Sequence, residues 1–142
     1  MKNYKMLIAL AGGPDAEKVA LAGLLFGKPL NAEIALVSIV KTTRDVSDDG
    51  ATPDEISEEL TIMYKKSLET LIEKIFNNHN VEIFVEKGSP YSTILKIAAE
   101  WGANVIVMGI HIPTENSGFT KANDFEEILK HTKIPIILIP AT

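Results

Sequence analysis

Five runs of apolar residues recur along the chain at strand length: KMLIAL over 5–10, EIALVSIV closing at Val40, VEIFVE from Val81, NVIVMG closing at Gly109 and IPIILI from Ile134. Several are near-continuous Val, Ile and Leu, the pattern of strands covered on both faces. The stretches between them carry helical periodicity. Strands alternating with helices predict an α/β domain over residues 1–142, a doubly wound five-stranded parallel sheet with helices on both faces.

Helix boundaries follow from local chemistry. In TPDE, Thr52 is the expected N-cap, Pro53 takes N1 and Glu55 takes N3, a capping box. Ile56, Leu60, Met63, Leu71, Ile72 and Ile75 then form the expected buried stripe. Ser89 and Pro90 open a further helix whose buried side is read as Ile94, Leu95, Ala98 and Trp101, with Gly102 as its terminator. A last helix is expected from Asp124 to about His131, with Asn123 as N-cap and Glu126 at N3. Two polar stretches, KTTRDVSDDGA and HIPTENSGFTKA, read as loops, and the second follows a central strand where such sheets bind ligands.

Composition narrows the function. The 142 residues carry a net charge of −5, which disfavours nucleic acid as a main partner. Without cysteine there is no disulfide, thiolate nucleophile or sulfur-ligated metal. No apolar run approaches the ~20 residues that span a bilayer, and the first residues lack a signal-peptide h-region, so the expectation is a cytoplasmic protein with no membrane association. The acidic stretch RDVSDDGATPDEISEE does not match an EF-hand loop and reads as a solvated loop and helix start. No histidine has a second at metal-ligand spacing, so neither a metal site nor catalysis by His111 is expected.

The order of these pieces, with GSPYSTILKIAAEWGANVIVMGIH and the closing ILKHTKIPIILIP, resembles the universal stress protein family over essentially the whole chain. The resemblance implies a Rossmann-like, adenine-nucleotide-binding-like sheet of five parallel strands. Members that bind ATP carry G-x-x-G, nine residues, then G-[ST], with an aspartate at the end of the first strand for the adenosine part. Laid on this chain, the first glycine is Gly109, but Ile112, Ala122 and Asn123 stand at the other motif positions and Ala11 at the aspartate position. The added Cβ atoms oppose close approach of backbone to phosphate. Asp124, Glu126 and Glu127 would each oppose a phosphate oxygen by ~1 kcal/mol or more at surface dielectric, with Lys121 in part compensating.

The implied cleft is bounded by Ala9, Ala11, Gly12, Ile39, Met108, Gly109 and His111, with Ala122 and Asn123 across from the first turn. The expected function is a non-enzymatic, stress-related binding or regulatory module with no cofactor and little ATP affinity. The alternative is a switch that binds ATP or AMP with Mg and hydrolyses slowly, Asn123 replacing the missing hydroxyl. AGGPDA also resembles the S-G-G-x-D-S loop of adenylating ATP pyrophosphatases, but Ala11 and Ala16 replace both serines. A strand-to-helix turn with Pro14 at N1 accounts for that stretch more simply. Finally, the resemblance implies a homodimer through the C-terminal strand, Pro135 to Ile139, whose apolar edge would otherwise invite aggregation.

Overall fold

A computed structural model describes residues 4–11, 15–41, 53–77, 80–111 and 128–141. In chain order these form β1 (Lys5–Ala9), α1 (Asp15–Gly27), β2 (Glu33–Val40), α2 (Pro53–Leu71), which continues as a π-helical turn (Ile72–Phe76), β3 (Val81–Lys87), α3 (Pro90–Trp101) and β4 (Val105–His111). A helical turn at residues 128–131, α4, precedes β5 (Ile136–Ala141). All strand pairs are parallel, in the order β3-β2-β1-β4-β5. The sheet is therefore the doubly wound one that the alternating pattern predicts. β1 is central, and the chain reverses its direction of travel across the sheet there, passing from β3 to β4 on the far side of β1.

The period of two along β1 divides the core. Met6, Ile8 and Leu10 join Val19 and Ala20 of α1 and Leu68 and Phe76 beneath α2. Leu7 and Ala9 join Ile94, Ile97 and Ala98 of α3 and Ile128 of α4. Each fully buried Leu or Ile on β1 contributes about 1.5–3 kcal/mol relative to exposure, so both layers are anchored on this strand.

Several boundaries differ from expectation for identifiable reasons. β5 begins at Ile136, because Thr132 closes a turn first: its Oγ1 accepts from the Ile134 amide (3.0 Å) and donates to the Ile134 carbonyl (2.7 Å). β4 runs past Gly109 because the ladder to β5 continues through Ile110↔Pro140 and His111↔Ala141. On α2, Met63 is 60% exposed and does not belong to the buried stripe. At 100° per residue it lies about 140° around the helix from Leu68, which is buried. The true line passes through Ser57, whose buried position a polar residue does not advertise, and Thr61 Oγ1 donates to the Ser57 carbonyl at 2.7 Å.

α3 begins after Ser89 with Pro90 in its first turn and ends at Gly102, whose φ of 84° is the left-handed conformation that suits glycine. Ile97 joins Ile94 and Ala98 on its buried side, while Leu95 is half-buried. Pro53 opens α2 as expected, whereas the Thr52, Pro14, Asn123 and Glu126 capping positions lie outside the described residues. No helix among the described residues is long and apolar enough to cross a membrane.

Candidate functional site

The carboxyl ends of β1, β2 and β4 do not meet the helices above them, and they leave a cleft of about 460 Å³. That volume suits a small-molecule ligand, and the position is the switch point where open α/β sheets bind them. Three strand ends build its floor: Ala9 of β1 with Leu10 just beyond it, Val37 from β2 and Met108 from β4, all buried. Val19 of α1 and Ile94 of α3 close the sides with further apolar surface. The floor itself is tied together, since the Leu10 amide donates to the Val37 carbonyl (2.9 Å) and the buried Ser38 Oγ donates to the Leu10 carbonyl (2.8 Å).

Polar groups stand higher. Asp15 and Ala16 come from the first turn of α1, Tyr64 from mid-α2, and Pro90 and Tyr91 from the start of α3. Ala11 and Lys41, both exposed, complete the rim just beyond β1 and β2. Lys41 is the one cation among the described residues lining the cleft. The lining is thus apolar at depth, with a carboxylate on the α1 side, an ammonium on the β2 side and two phenols.

Of the residues expected here from sequence, Ala9, Ala11, Ile39, Met108 and Gly109 line this one cleft. Gly12, Ala122 and Asn123 lie outside the described residues. His111 was expected in a loop over the cleft, but its backbone is the last β4 position, paired with Ala141 of β5. Gly109 has a packing role beside any ligand role: a Cβ there would stand 2.9 Å from Val19 Cγ2, so the missing side chain lets α1 settle on β4.

Lys41, Tyr64 and Tyr91 were not expected. Tyr64 lies four residues before Leu68 and four after Leu60, a helical spacing that could have revealed it. Lys41 and Tyr91 carry no comparable local signal. Among the described residues no group of three or more His, Asp or Glu side chains is placed to hold a metal ion.

Comparison with known proteins places this architecture in context. A family model described as the Universal stress protein family matches residues 3–140. Among solved structures, a protein of that family from Burkholderia pseudomallei superposes with a TM-score of 0.74 at 19% identity, covering 96% of each chain. A universal stress protein from Archaeoglobus fulgidus in complex with dAMP gives 0.68 at 17% identity, over 98% of this chain and 99% of that one. A universal stress protein in complex with cAMP gives 0.69 at 10% identity, over 100% of both chains. At these identities the likeness shows a shared fold. No curated protein matches the sequence significantly.

Proposed function

The chain belongs to the universal stress protein family, and from that premise we propose that it is a non-catalytic binding module in stress-linked regulation whose cleft takes an adenine nucleoside monophosphate in preference to ATP. The observation that carries this reading is the cleft itself, of about 460 Å³, apolar at depth and polar at the rim, at the carboxyl ends of β1, β2 and β4. Such a site suits a flat heterocycle below and a sugar phosphate above. Support comes from two proteins of the same fold whose structures hold dAMP and cAMP.

The preference against ATP rests on the sequence after β4. Ile112, Ala122 and Asn123 stand where ATP-binding relatives have glycine, glycine and a hydroxyl residue, and three carboxylates follow within the next four positions. A triphosphate would meet more repulsion there than a single phosphate held elsewhere.

Calorimetric titration of nucleotide-stripped protein with AMP and with Mg·ATP tests the proposal. AMP is expected to bind at least about tenfold more tightly than Mg·ATP, about 1.4 kcal/mol. ATP binding as tight as AMP would remove the preference, and no binding of either up to millimolar concentration would remove the nucleotide reading. The same proposal includes a homodimer through β5, an edge strand of the sheet. A second copy would cover apolar positions and backbone groups that an edge leaves open. A monomer in sedimentation at micromolar concentration would overturn that part.

A further inference from the structure

We infer that Tyr64, from the middle of α2, stacks its ring on the base of the bound nucleotide and so sets a preference for a purine over a pyrimidine. The inference rests on the nucleotide reading above and adds to it which side chain covers the base. The position of Tyr64 follows from the helix. It lies one turn before Leu68 and about 40° around α2 from it, and Leu68 is buried in the core. Further along the same stripe Leu71, Ile72 and Ile75 pack against that core. Tyr64 is half-buried as well, but it packs against neither core cluster. It lines the cleft at the carboxyl ends of the strands instead.

The second phenol of the cleft is placed differently. Tyr91 packs against the α3-side core, so its ring is part of the wall. The two rings stand on opposite faces of the sheet, since α2 packs through Leu68 on one core and α3 through Ile94 on the other. A flat ring resting on the buried surface of Val37, Met108 and Ile94 has one face covered by the fold. Tyr64, whose own ring the core does not use, covers the other. Every base has a π-face, so such stacking is tolerant, and its strength grows with ring overlap. A bicyclic purine offers more overlap than a single pyrimidine ring, and the preference needs no hydrogen bond to the base.

The test is calorimetric titration of wild type, Tyr64→Phe and Tyr64→Leu with AMP and with CMP, beside thermal melting of each protein. Wild type is expected to bind AMP about fivefold more tightly than CMP. Tyr64→Phe keeps the ring and is expected to hold both affinities within about twofold of wild type. Tyr64→Leu is expected to weaken AMP about tenfold and CMP about threefold, so that the preference narrows. A purely structural role would lower the melting temperature of Tyr64→Leu and weaken both ligands by the same factor, which would overturn the inference. So would equal binding of AMP and CMP by wild type, a result that needs no variant, or a loss in Tyr64→Phe as large as in Tyr64→Leu. Each of these leaves AMP binding by wild type in place, and with it the nucleotide reading. Failure of wild type to bind either nucleotide would overturn that reading, and this inference with it.

Discussion

The two ends of β1 are built in opposite ways. At the amino-terminal end, backbone and side chains close on the strand from both neighbours: the Lys5 amide donates to Asn104 Oδ1 (2.8 Å), the Asn104 amide to the Lys5 carbonyl (2.8 Å) and the Glu33 amide to the Tyr4 carbonyl (2.7 Å). Lys5 Nζ also donates to the Trp101 carbonyl at 3.0 Å and lies 5.0 Å from the centre of the Trp101 ring. At the carboxyl end the strand is followed by the cleft, with Ala11 exposed at its rim. One end of the same strand spends its polar groups on the fold, and the other leaves space. In a parallel sheet all carboxyl ends share one edge, so stability and binding can be assigned to opposite edges of one layer.

The largest expected effect tests the closed end. Trp101→Ala removes the ring that packs edge-on to Phe84 at 6.3 Å between centroids and lies beside Lys5, and half-buried aromatic truncation should cost about 2–3 kcal/mol in urea unfolding. AMP affinity of the folded fraction should not change. Trp101→Phe should cost less, because the buried Nε1 finds no hydrogen-bond partner among the described residues and its loss removes an unsatisfied donor. If Trp101→Ala weakened AMP binding as much as stability, the two ends would be coupled and the contrast between them would fail.

A smaller effect is expected where the two roles meet, at Gly109. Gly109→Ala places a methyl 2.9 Å from Val19 Cγ2 and 3.9 Å from the Ile139 carbonyl oxygen, which should cost about 1–2 kcal/mol as α1 shifts off β4. Thermal melting read beside AMP titration separates the causes. Unchanged stability with lost AMP binding would mean that the glycine serves the ligand and that packing is incidental.

The closed and open ends were unequally legible in the sequence. Apolar runs announce β1 to β5, and Ser89, Pro90 and Gly102 announce α3, because these signals are local. The stitching at the amino end joins residues 99 and 96 positions apart, Lys5 with Asn104 and Trp101, and no periodicity reports such a pair. The extension of β4 to His111 depends likewise on its partner in β5. At the open end the family pattern pointed to Ala9, Ala11, Ile39, Met108 and Gly109, which do share one cleft. It missed Lys41, Tyr64 and Tyr91, one each from β2's end, α2 and α3, since only the assembled layers bring those three elements over the same strand ends.

The smallest effect on stability is expected at Ala11, and it sharpens the contrast most. The family resemblance places an aspartate here for the adenosine part of the ligand, and this chain has an exposed methyl instead. Ala11→Asp at an exposed rim position should change stability by less than about 0.5 kcal/mol. If the ligand's sugar and base lie against the end of β1, the new carboxylate gains a hydrogen bond to them, and adenosine should bind about fivefold more tightly. AMP should gain less, because the same charge repels its phosphate. The ratio of the two gains therefore measures how far the phosphate sits from the end of β1. No gain for adenosine would mean that its sugar and base lie elsewhere, and that the open end of β1 is not the adenosine side of the cleft.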